Sequence, residues 1–152
     1  MFQGKVFHGG TPLTKDKFED VAWFSSIPIK YFGESHAYQI KLDNPLVINA
    51  NGNAWTDKLW WECCNQNGEP NIEPTNKRLT DKMPPFLWKM AQDSPDEIEY
   101  GDLPYILKNM YLNDEIPNDS VIIKQMYETP QANVLTDVYV IFSMNQVEKM
   151  LY

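Results

Sequence analysis

The segment Asp137–Phe142, Asp-Val-Tyr-Val-Ile-Phe, constrains the fold more than any other stretch of the chain. β-Branched and aromatic residues dominate it, and such side chains suit a pleated, packed strand. Shorter strands are expected at Lys5–His8, Val21–Ser25, Leu46–Ile48 and within Asp119–Tyr127. Another is expected at Ala37–Leu42, where Tyr38, Ile40 and Leu42 alternate with Gln39 and Lys41. The helical signals fall mostly between these groups. Trp55, Leu59 and Cys63 share a face of Ala54–Cys64, Pro84 opens Pro84–Met90, and Pro104 sits in the first turn of Leu103–Leu112. Thr14 is placed to cap a brief helix at Lys15–Asp20. Strands, then helices, then strands predict an α+β domain with a mostly antiparallel sheet rather than a doubly wound one.

With 152 residues, 43% of them apolar, one domain spanning 1–152 with a real core is expected. Eleven prolines and seven glycines favour turns over long helices. The net charge of −8 argues against non-specific attraction to a nucleic-acid backbone. It leaves open a nucleic acid held by a local basic strip, and it suits a basic partner. Cys63 and Cys64 are adjacent and belong to no spaced Cys/His set, so no metal is expected and a reducing, cytoplasmic setting is. No signal peptide or membrane-length apolar run is visible, so no membrane association is expected.

The chemistry concentrates at Phe7-His8-Gly9-Gly10. Glycine lets a ligand approach the backbone closely, and the neighbouring histidine supplies a directional hydrogen bond. A flat, amide-bearing ligand could be held by backbone on one side and an aromatic ring on the other. Nucleotide loops of the G-x-G-x-x-G and G-x-x-x-x-G-K types are absent from the sequence, as is a G-x-S-x-G elbow.

Val6-Phe7-His8-Gly9-Gly10 resembles the first motif of ADP-ribosyltransferases of the diphtheria-toxin and poly(ADP-ribose) polymerase type. Ala22-Trp23-Phe24-Ser25-Ser26 resembles their second motif, with Tyr31 near a tyrosine the family places just downstream. Thr136–Phe142, followed by Asn145-Gln146-Val147, resembles the third. Asn44-Pro45-Leu46 and Gly52 look most like compact bacterial and phage members, some of which are toxins or anti-defence proteins.

The resemblance implies an ADP-ribosyltransferase-like split sheet with a few short helices. It implies NAD as substrate, split at the nicotinamide–ribose bond, and mono-ADP-ribosylation of an unidentified protein or nucleic-acid target. An antitoxin or other binding partner would fit. It further implies that Gly9 and Gly10 approach the nicotinamide amide and that His8 bonds a ribose. Trp23, Phe24 or Tyr31 would stack on the ring, and Ser25 would bond the amide. His8, Tyr31 and Asp137 would be the catalytic set. The sequence departs from the family at the acidic position. Alignment on Gln146-Val147 puts Val138 there, with Asp137 one residue earlier and Glu128 as another candidate. Two other readings stand beside transfer: an NAD hydrolase, and a non-catalytic acidic interaction or inhibitor protein. The Trp55, Trp60, Trp61 cluster is read as core, and His36 as a surface residue.

Overall fold

In the computed structural model, residues 1–29, 32–50, 52–58, 85–94, 97–127 and 134–151 are described. Seven strands form one sheet: β1 (Phe2–Gly9), β2 (Ala22–Ser25), β3 (Ser35–Leu42), β4 (Pro45–Asn49), β5 (Ser120–Tyr127), β6 (Leu135–Ile141) and β7 (Val147–Met150). Their spatial order is β4-β5-β6-β2-β1-β3-β7. Every pairing is antiparallel except β4 with β5. Two α-helices are described, α1 (Pro85–Asp93) and α2 (Leu103–Leu112). The fold is therefore α+β with a mostly antiparallel sheet.

The two faces of the sheet bury separate cores. On one, Leu46, Ile48, Val121, Ile123, Val138 and Val140 pack against Leu87 of α1 and Leu103 and Leu107 of α2. Leu103 and Leu107 are four residues apart, so they share the inward face of the helix. On the other face, Val6, Phe24, Tyr38, Ile40, Leu42 and Ile141 pack with Leu13 and Phe18 of the β1–β2 loop. β5, flanked by β4 and β6, feeds both cores, Val121 and Ile123 one way and Ile122 the other, which explains its unbroken apolar run. Pro45 opens β4, an edge strand, where a missing N–H is tolerated. Lys108 of α2 clamps the β1–β2 loop by donating to the Asp20 carbonyl and meeting its carboxylate at 3.0 Å.

The structure corrects several expectations. The brief helix after Thr14 is one turn, closed by the Lys17 and Phe18 amides on the Thr14 carbonyl. Over its described part, the expected helix at Ala54–Cys64 is extended and turn-like. Ala54 bridges to Tyr127 and Lys58 to Glu99, so tertiary pairing overrides the four-residue spacing. Residues 59–64, Trp60 and Trp61 among them, lie outside the described residues. Strand β7 was not anticipated. The sheet is continuous, but β1 and β2 pair at one position only, Phe7 opposite Ser25. Among the described residues, no helix is long and apolar enough to cross a membrane.

Candidate functional site

That single pairing creates the site. The Gly10 amide donates to the Glu34 carbonyl (2.8 Å), so position 10 faces β3. The Ala37 carbonyl accepts from the Leu151 amide (2.7 Å), so Ala37, opposite Phe7, faces β7. By the alternation of an antiparallel ladder, Phe7 and Gly9 turn their N–H and C=O groups toward β2. Phe7 finds Ser25 there. Continuing the register would set Gly9 opposite Trp23, but the pairing has already ended. The strands part, and a cavity of about 330 Å³ opens, lined by Phe7, His8, Gly9, Trp23, Ser25, Phe32 and Trp55.

His8 holds the opening in shape. Its Nδ1 lies 2.9 Å from the Trp23 carbonyl oxygen. A carbonyl only accepts, so Nδ1 carries the proton and, in the neutral ring, Nε2 is the acceptor. The ring sits 5.6 Å from Phe24 and 6.4 Å from Tyr38, edge-on to the latter, which limits its rotation. His36 lies directly opposite on β3 and is half-buried rather than a plain surface residue. Ser25 is buried, and its Oγ donates to the Ile27 carbonyl at 2.6 Å. Its proton is thus committed, and its lone pairs can accept from an N–H.

Gly9 has a second reason to be glycine. A Cβ there would stand 2.6 Å from the Phe32 Cβ, closer than such atoms approach. Phe32 can therefore lie across the strand end. Trp55 closes the other wall, its carbonyl accepting from the Gly101 amide (2.8 Å). Trp55 and Phe32 remain 41% and 38% exposed, an unusual state for large rings and one that suits covering a ligand. Sequence reasoning missed both. The spacing of Trp55 to Leu59 suggests a helix core instead.

Several expected site residues lie elsewhere. Phe24 is fully buried on the opposite face of β2 and cannot stack on a ligand in the cavity, because neighbours on a strand alternate faces. Gly10 is not in the lining. It turns the chain at φ +88°. Asp137 is also on the far face. Its Oδ1 accepts from the Gln125 amide (3.1 Å) within a β5 irregularity between Ile123 and Met126, where Gln125 has φ +54°. Val138, one residue on, is the β6 residue opposite Ser25, and it is buried in the helix-side core. Gln146 holds the 3₁₀ turn Met144–Gln146. It accepts from the Phe142 and Ser143 amides (2.8 and 3.1 Å) and donates to the Asp119 carbonyl (2.9 Å). Tyr31 and Glu128 lie outside the described residues. Among the described lining residues there is no carboxylate.

The cavity can thus offer one donor and one acceptor from the Gly9 peptide, an acceptor from Ser25, the neighbouring His8 and four aromatic side chains, Phe7, Trp23, Phe32 and Trp55. No protein-family model matches the chain, and neither a curated protein nor a solved structure shows significant similarity to it.

Proposed function

We propose that this chain is a mono-ADP-ribosyltransferase that binds NAD in the cavity between β1 and β2 and transfers ADP-ribose to a macromolecule. The observation that carries the reading is the parted strand pair. A carboxamide needs one acceptor for its N–H and one donor for its oxygen, which is what an unpaired strand peptide at Gly9 presents. Trp23, Phe32 and Trp55 are large enough to sandwich a pyridine ring, and about 330 Å³ falls within the range of small-molecule pockets. Ser25 accepts from the second amide hydrogen. His8 Nε2 accepts from a ribose hydroxyl while Nδ1 fixes the ring.

In the reaction, the bond between ribose C1′ and the pyridinium nitrogen breaks. Its electron pair leaves with neutral nicotinamide, and the acceptor's lone pair forms the new bond to C1′. Holding ring and ribose so that acceptor and leaving group lie in line is the protein's main contribution. Positive charge develops on the ribose in the transition state. A carboxylate would favour it, yet the described lining has none and Asp137 is committed to β5. That observation favours a second reading, a module that binds NAD without splitting it.

The test is incubation with NAD labelled in the ADP-ribose part and a bacterial lysate, with His8→Ala alongside. A labelled macromolecule with stoichiometric nicotinamide, lost in the variant, is the expected result. Nicotinamide with only free ADP-ribose would mean hydrolysis. NAD bound without nicotinamide release would establish the binding module, and no NAD binding would end both readings.

A further inference from the structure

The sheet face that leads into the cavity carries an unusual set of side chains for a chain of net charge −8. Lys5, Gln39 and Lys149 stand directly opposite one another on β1, β3 and β7, so their side chains share one face. Gln3 and Lys41 form the next row. Phe7, two residues along β1 from Lys5, lies on the same face and belongs to the cavity lining. The Lys5 ammonium reaches over the Phe7 ring, 5.4 Å from its centroid. Lys5, Lys41 and Lys149 are exposed. Among the described residues, Glu148 accepts from Gln3 Nε2 at 2.7 Å, and Asp43 lies 3.9 Å from Lys41. The row of Lys5, Gln39 and Lys149 carries two of the three lysines of the strip. With strands about 4.8 Å apart, its two cations are rooted about 10 Å from each other. Past Phe7 the strip meets the exposed rings of Phe32 and Trp55 at the cavity mouth.

We infer that this strip binds single-stranded nucleic acid, with phosphates on Lys5 and Lys149 and bases stacked on the aromatic rim of the cavity. Cations that track a backbone beside rings that stack bases are the joint signature of single-strand binding. An acidic peptide would use the lysines but leave the rings without flat partners. A duplex would keep its bases stacked on one another and unable to reach the rim. Glutamine side chains between the lysines can donate to phosphate or base without adding repulsion. Binding stands independently of the transfer reaction. Only the strand's further role, as bearer of the acceptor group, rests on the proposed function.

The experiment is fluorescence anisotropy of a short, labelled, mixed-sequence single-stranded DNA with the full chain, across salt from about 50 to about 200 mM. Two phosphate contacts predict that log K falls against log salt with a slope of about −1.4. The double variant Lys5→Glu/Lys149→Glu should bind about tenfold or more weakly, because attraction becomes repulsion at both contacts. Lys15→Glu/Lys17→Glu, with the same change of net charge on the exposed β1–β2 loop, should bind as wild type. Salt-insensitive or undetectable binding by wild type would overturn the inference. So would equal weakening in both double variants, or a labelled polyglutamate peptide that binds as tightly as the DNA. NAD binding by the wild type, followed by tryptophan fluorescence, separates the two ideas. DNA binding without NAD binding would end the proposed function and leave this inference standing.

Discussion

Two irregular seams of the sheet, β5–β6 and β1–β2, are mended differently. Between β5 and β6 the register slips after Ile123, and Gln125 takes a left-handed conformation. Its amide is met by the Asp137 carboxylate and its carbonyl by the Gly52 amide at 2.7 Å, so the seam closes. Between β1 and β2 the pairing stops after Phe7, and His8 Nδ1 takes the Trp23 carbonyl. There the seam stays open and becomes a cavity. In both places a side chain replaces a backbone partner. The difference lies in what remains: Asp137 is not among the lining residues of the cavity, whereas His8 is, and its imidazole has a second nitrogen. A motif carboxylate can thus serve the sheet while a motif histidine serves both sheet and ligand.

The largest expected effect tests the faces of β2. Phe24→Ala should cost about 3–5 kcal/mol in urea unfolding, because it empties a fully buried ring site. Trp23→Ala should cost less stability and more NAD affinity, since Trp23 is half-buried and lines the cavity. A reversed pattern would mean that the faces are assigned the wrong way round. Next comes the open seam. His8→Ala should slow transfer by about 10²-fold, the scale set by misplacing a reactant, and should cost about 1 kcal/mol of stability through the lost hydrogen bond. His8→Asn offers an amide donor near the position of Nδ1 and should recover the stability without the activity. Full activity in His8→Asn would show that Nε2 has no role.

Much of the sheet was legible because inward and outward residues alternate. Tyr38, Ile40 and Leu42 announced β3, and the Val121–Ile123 run announced a strand buried on both faces. Pro104, in the first turn, marked α2. What failed was whatever depends on distant partners. Trp55 carries a helical spacing, but Ala54 and Lys58 are claimed by Tyr127 and Glu99, far away in sequence. Strand β7 is mostly exposed and follows a capped 3₁₀ turn, so little apolar pattern marks it. In the site, Phe7, His8, Gly9, Trp23 and Ser25 converge as their motifs suggested. Phe24 and Asp137 do not, because a one-residue offset on a strand is a change of face. Phe32 was invisible, since only the close approach at Gly9 reveals it.

The closed seam gives smaller effects. Asp137→Ala strands the Gln125 amide and should cost about 1–3 kcal/mol, the range for a donor that loses its partner. Asp137→Asn keeps an acceptor oxygen and should cost less. Nicotinamide release should persist in Asp137→Asn. Its loss in a variant of wild-type stability would return Asp137 to the chemistry and undo the contrast between the seams.

The smallest effect lies one residue pair along the same face. Burial, and secondarily the charge of Asp137, hold the Tyr139 hydroxyl above the ordinary tyrosine value of 10.0. Phe2, stacked on it at 4.5 Å between centroids, supplies part of that cover. Because the folded value is the higher one, the unfolded chain ionises first as pH rises. The stabilisation is whole below pH 10 and is lost as pH climbs through the folded value. Wild type should therefore lose stability above that point more steeply than Tyr139→Phe. Asp137→Asn should lower the Tyr139 midpoint by removing the neighbouring charge, as read from the difference in tyrosinate absorbance with and without Tyr139. An unmoved midpoint would mean that Asp137 spends its charge wholly on the β5 seam, which would make the division of labour between carboxylate and imidazole sharper still.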